Sequence, residues 1–183
     1  MTLPVSFSEI ETAAEHIASY IVRTPALHAA SLSALTRAHV MLKLETRQRT
    51  GAFKDRGAAN RLLQLTQVER ERGVIAMSAG NHAQAVAYQA QRLDVPATIV
   101  MPINTPFTKV RRTAAFGARI VLAGETRAEA AIRAYAIAGD EALTLVHPYD
   151  DERVVAGQGT AALELISDVP DLDVLLVPIG GGG

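Results

Sequence analysis

The sequence has no cysteine and no tryptophan, and phenylalanine and tyrosine together supply only 4% of its 183 residues. Without thiols there is no disulfide framework, no thiolate metal site and no cysteine nucleophile, and the chain suits a reducing compartment, of which the cytoplasm is the simplest. Charge of one sign is lacking too. A formal net charge of −1 leaves neither nucleic acid nor an anionic membrane as the default partner. No apolar stretch approaches the roughly 20 residues a membrane helix needs, and Met1-Thr2-Leu3-Pro4-Val5-Ser6 has no basic region leading into an apolar run. What is plentiful is small and aliphatic. With 49% apolar residues and so few aromatics, the core must be built of Ala, Val, Leu and Ile, a composition that favours α/β layers in one domain or two small ones.

Ser8 followed by Glu11 makes a capping-box pattern, and Ile10, Ala13, Ala14, Ile17 and Ala18 recur at helical spacing, so a first helix is predicted to run to about Tyr20. Thr24-Pro25 breaks it. A short helix over 31–37 and a strand over 40–44 follow, then one helix from Phe53 to about Arg72 that stops at Gly73. Short apolar runs at 74–77, 97–100, 119–122 and 143–146 read as buried strands. They alternate with helical patterns at 83–93, 108–116 and 126–137, which predicts repeated β-α-β units: an open parallel sheet with helices on both faces and right-handed crossovers. A helix over 151–166 and a further strand over 174–177 complete the pattern, before four terminal glycines.

Three stretches carry chemistry. Thr50-Gly51-Ala52-Phe53-Lys54-Asp55-Arg56-Gly57-Ala58 puts a lysine at the start of a helix between small residues. A lysine amine whose pKa is lowered by burial can form a Schiff base with a carbonyl cofactor. Ser78-Ala79-Gly80-Asn81-His82 follows a strand and opens a helix, where unpaired N–H groups and the positive dipole end can hold a carboxylate or phosphate. A plain βα turn capped by Ser78 or Asn81 would read the same way. Gly180-Gly181-Gly182-Gly183 also follows an apolar run, and consecutive glycines can turn their N–H groups inward as a phosphate cradle. Together they match an amino acid joined to pyridoxal phosphate. His147 with Asp150 and Asp151 is read as a turn and not as a metal site; no metal is assigned.

With Leu44-Glu45, Arg49 to Lys54, Arg56-Gly57-Ala58, Ser78 to Gln84, His147 to Asp151, Ala156 to Thr160 and the terminal glycines all in order, the chain resembles the fold-type II pyridoxal phosphate enzymes of the threonine dehydratase and serine racemase family, over essentially its whole length. The resemblance implies a larger domain formed by residues 1–72 and 147–183, with a smaller α/β domain, 73–146, inserted in it. It also implies that the larger domain is incomplete at the C-terminus. Lys54 would then form the Schiff base and move protons at the substrate α-carbon, with Phe53 packed beside the cofactor. Asn81 would bond the cofactor's phenolic oxygen, Ser78, Gly80, Asn81 and His82 would surround the substrate carboxylate, and Gly180 to Gly183 would hold the phosphate.

The implied activity is an L-threonine or L-serine dehydratase giving a 2-oxo acid and ammonia, expected as a homo-oligomer acting on a small amino acid. Asp55 stands where dehydratases carry an apolar residue and resembles threonine and cysteine synthases instead, whereas Gly80-Asn81-His82 does not. Ala79 stands where racemases place a second serine, and a methyl group cannot serve as the opposite-face acid or base that racemisation needs. Leu44 to Gln48 with Ala52 resembles dehydratase-like members of hydroxyectoine breakdown. A reading of another class is an inactive truncated chain that serves only as a folding or interaction module.

Overall fold

The computed structural model describes residues 5–179. Its centre is a four-stranded parallel sheet in the order β5-β4-β3-β6, from β3 (Val74–Met77), β4 (Ala97–Met101), β5 (Arg119–Leu122) and β6 (Thr144–Leu145). Strand runs so short and so continuously apolar are suited to burial on both faces. Ala76, Val74, Ile99 and Met101 meet α5 (Asn81–Arg92) and α6 (Phe107–Ala114) on one face, while Ile75 and Val100 meet α7 (Arg127–Asp140) on the other. The predicted parallel sheet with helices on both faces is therefore present.

The order reverses at β3. From β3 the chain steps outward to β4 and β5 through α5 and α6, then returns through α7 on the opposite face to place β6 on the other side of β3. A crevice outside the carboxyl ends of β3 and β6 is the geometric result, and such switch points are where open α/β sheets bind ligands.

A second layer lies beside the sheet. Helices α1 (Phe7–Ile17), α3 (Lys54–Leu63) and α8 (Glu152–Asp168) pack on one another, and α3 also packs on α5. The backbones of α3 and α8 touch: a Cβ on Gly157 would lie 2.7 Å from both the Gly57 Cα and the Arg56 carbonyl oxygen. Gly157→Ala is expected to cost about 2 kcal/mol through overpacking, read as a lower urea midpoint at unchanged slope.

Several expectations are corrected. The first capping box is Ser6 with Glu9, not Ser8 with Glu11; both pairs fit the pattern, and the earlier one adds helical hydrogen bonds such as Ile10 N–H to the Ser6 carbonyl. The single helix over 53–72 is two, α3 and α4 (Gln67–Arg72), because Thr66 and Glu69 form a capping box of their own. Gly73, with φ of 100°, ends the second as expected. Outside the main sheet, β1 (Ala26–His28) and β2 (Met41–Lys43) pair antiparallel on either side of α2 (Ala30–Thr36), so the only parallel sheet among the described residues is the central one. Residues 174–177 form no strand: they are exposed, and among the described residues no strand pairs with them to satisfy their backbone.

Candidate active site

The sequence holds three lysines, Lys43, Lys54 and Lys109. Lys109 is exposed. Lys43 is committed electrostatically, 2.7 Å from Glu164 and 3.4 Å from Asp168. Lys54 differs from both. It is the first residue of α3 and half-buried, it has no carboxylate in ion-pair range among the described residues, and its Nζ donates to the Pro148 carbonyl at 2.6 Å. Burial pulls its amine below the ordinary lysine range, as a lysine that must be uncharged to attack a carbonyl requires. The Phe53 ring lies 5.0 Å from Nζ.

Two devices fix this lysine. The loop before it is braced by Asp55, which accepts from the Thr50 N–H at 2.9 Å and from the Thr50 hydroxyl. Burial pushes the Asp55 carboxyl up while those hydrogen bonds oppose the rise. One residue further on, fully buried Arg56 is gripped from both sides: Glu45, in the 3-10 turn Glu45–Arg47, takes Nε and Nη2 at 2.8 Å each, and Glu164 of α8 takes Nη1 at 2.7 Å and Nη2 at 2.8 Å. Thr160 adds a contact at 3.0 Å. Burial alone works against the guanidinium charge, but the carboxylates outweigh it and hold its pKa above the usual arginine value.

The turn after β3 lies at the same crevice. Ser78 Oγ accepts the Gly80 N–H at 3.1 Å, and Gly80 occupies the N-cap of α5 without any side-chain cap. The first N–H groups of α5, those of Asn81 and His82 among them, therefore remain available to an anion. A Cβ at Gly80 would meet nothing within 4 Å, so the space in front of this helix end is open. Asn81 is exposed there.

His82 is buried, and its Nε2 donates to the Val146 carbonyl at 2.9 Å, leaving Nδ1 without a partner among the described residues. Burial is the main reason its pKa falls to about 4, with Lys54 adding repulsion. Its imidazole is thus a neutral tie between α5 and the end of β6, and only its backbone N–H is left for an anion.

That tie has a pH signature. A histidine whose pKa drops from 6.5 to about 4 on folding stabilises above about pH 6.5 and loses that contribution as pH falls toward 4, roughly 3 kcal/mol in all. His82→Gln, which keeps a donor for Val146, is expected to flatten this part of the stability–pH curve measured by urea unfolding.

Lys54, Phe53, Ser78, Gly80, Asn81 and His82 therefore meet along the carboxyl edge of β3 and β6. Lys54 and His82 are anchored two residues apart, on Pro148 and Val146. Gly180 to Gly183 lie outside the described residues. Sequence reasoning missed Pro148 as the anchor of Lys54 and the Glu45–Arg56–Glu164 cluster, whose members are brought together only by the fold.

A half-buried, carboxylate-free amine facing an uncapped helix end fits a cofactor that carries both an aldehyde and anionic groups. A family model described as pyridoxal-phosphate dependent enzyme matches residues 17–183. The chain belongs to this family. It is 45% identical over 180 residues to the catabolic L-threonine dehydratase of Staphylococcus aureus (strain USA300), covering 98% of this chain and 52% of that one. Among solved structures, maize serine racemase superposes with a TM-score of 0.95 at 34% identity, over 98% of this chain and 55% of that one. The processed form of threonine deaminase isoform 2 from Solanum lycopersicum gives 0.88 at 36% identity, over 97% and 50%. The chain thus spans about half the length of the relatives it matches. Among the described residues no helix is long and apolar enough to cross a membrane, and no three His, Asp or Glu side chains gather as metal ligands.

Proposed function

We propose that this chain carries the cofactor lysine and substrate-carboxylate site of a pyridoxal phosphate-dependent dehydratase that converts L-threonine or L-serine to a 2-oxo acid and ammonia. The observation that carries the reading is Lys54: of three lysines it is the half-buried one with no carboxylate partner among the described residues, and it opens onto the switch-point crevice. Similarity to L-threonine dehydratase over 98% of the chain supports the same substrate class. The cofactor, when bound, supplies an aldehyde for amines and a ring that accepts the electron pair left by the α-proton.

The chain's own residues would do the rest. Lys54 holds the cofactor until the substrate amine displaces it, and then takes the α-proton. The N-terminus of α5, with Ser78, Gly80 and the N–H groups of Asn81 and His82, receives the substrate carboxylate and fixes which bond at the α-carbon faces Lys54. Asn81 would bond the phenolic oxygen, Phe53 would pack beside the ring, and Gly180 to Gly183 would hold the phosphate. Loss of the β-hydroxyl and hydrolysis then give 2-oxo acid and ammonia, with no oxidant and no net water. Ala79 has no proton to move, which favours elimination over racemisation.

The same reading divides the chain into a smaller domain, 73–146, inserted between 1–72 and 147–183; the packing of α1 and α3 on α8 supports this. We expect a homo-oligomer in the cytoplasm. The test is titration of the protein with pyridoxal phosphate, followed by absorbance, borohydride trapping and 2-oxo acid detection with L-threonine and L-serine. A trapped adduct on Lys54 with 2-oxo acid formation is the expected result. An adduct on another lysine would overturn the reading.

A further inference from the structure

His147 and Pro148 follow β6 directly, and the peptide that joins Pro148 to Tyr149 is held at both of its ends. Its carbonyl, that of Pro148, accepts from Lys54 Nζ at 2.6 Å. Its N–H, that of Tyr149, points to His147 Nδ1 at 3.4 Å, and the same nitrogen accepts the Asp150 N–H at 2.7 Å. In a trans peptide the N–H and C=O point in opposite directions, so the grip of the imidazole on one side aims the oxygen to the other.

We propose that His147 is a positioning residue for Lys54: through Nδ1 it shapes the turn whose Pro148 carbonyl holds the lysine amine. The proposal rests on the reading of Lys54 as the cofactor lysine.

Packing leaves this task to the hydrogen bonds. A cavity of about 40 Å³, lined by Met77, Ala134, Tyr135, Leu145, His147 and Pro148 among others, undercuts the turn. The turn is therefore not wedged from below, and its geometry depends on Nδ1. Tyr149 keeps the imidazole in orientation, its ring edge-on at 4.6 Å. Loss of this acceptor would leave the Tyr149 and Asp150 N–H groups unmet and undo the turn. Lys54 would then escape toward water, and the burial that lowers its pKa would be lost. The titratable groups around the turn are Lys54 from α3, His82 from α5, Tyr135 from α7, and Tyr149, Asp150 and Asp151 beside His147 itself.

The test compares wild type with H147N and H147F without cofactor. Asparagine Oδ1 takes the place of Nδ1 as an acceptor, whereas phenylalanine keeps the ring and removes the acceptor. Reductive methylation with formaldehyde and cyanoborohydride, resolved at Lys54 by peptide mass spectrometry, is followed between about pH 5.5 and 9. In wild type the Lys54 rate should fall with acid as its own amine takes up a proton. H147N, which keeps an acceptor, should follow the wild-type profile. H147F should be slower than wild type by about threefold or more at neutral pH. Labelling in H147N as slow as in H147F, or wild-type labelling in H147F, would overturn the proposal. Because labelling needs neither cofactor nor turnover, failure of the cofactor reading would appear separately, as an adduct away from Lys54 in the titration above.

Discussion

Lys54→Ala is expected to eliminate the borohydride-reducible adduct with pyridoxal phosphate and to lower 2-oxo acid formation by roughly 1000-fold. The expectation rests on the lysine census. In its absence, Lys43 remains neutralised by Glu164 at 2.7 Å and Lys109 remains exposed on α6, so neither can stand in as an unpaired amine inside the crevice. Lys54→Arg separates charge from chemistry: it preserves a cation over Phe53 and a donor for Pro148, but guanidinium stays protonated and cannot form the covalent link. Both variants should therefore fold with near wild-type urea midpoints while losing the adduct. Turnover retained in either, or an adduct appearing on Lys43, would refute the assignment.

Arg56→Met should cost about 3–5 kcal/mol of stability, because it strands Glu45 and Glu164 without the charge they surround. The cluster is balanced as it stands. Arg56 and Lys43 face Glu45 and Glu164, two charges of each sign, and Thr24 donates to Glu45 from its hydroxyl at 2.5 Å. Burial pushes the Glu164 carboxyl up, yet hydrogen bonds from Arg56 and Lys43 outweigh this and hold it below the ordinary range. The stabilisation is therefore complete above the unfolded-state pKa near 4.5 and lost as acid protonates Glu164 below it. Adding Glu45→Gln and Glu164→Gln to Arg56→Met should recover part of the loss, since amides are less costly to bury than unpaired carboxylates. A loss under about 1 kcal/mol on Arg56→Met alone, measured by urea unfolding, would mean that the cluster opens to water.

The sheet was legible because its strands are short, apolar and separated by helical periodicity, and the helix start at Lys54 because small residues surround it. Local motifs compete with one another: Ser6-Glu9 and Ser8-Glu11 are equally good boxes, and Thr66-Gln67-Val68-Glu69 announces a helix start that an apolar-face argument runs straight through. The apolar run at 174–177 shows the limit of pattern reading, because a strand needs a neighbour and hydrophobicity alone does not supply one. Arg56 and Glu164 are 108 positions apart, and Lys54 and Pro148 are 94 apart. No local spacing encodes such pairs. The fold creates them by setting α8 against α3 and the end of β6 against the helix start.

The close fit of α3 on α8 also imposes an order of events when the chain is made. Gly57 and Gln158, which are hydrogen-bonded, are 101 positions apart. At ordinary rates of synthesis the second follows the first by about 5–20 s. For that interval the helix carrying Lys54 has neither its backbone neighbour nor the Glu164 side of the Arg56 cluster, so a translation pause placed shortly before residue 157 would prolong the time in which the lysine is unshielded and open to stray aldehydes.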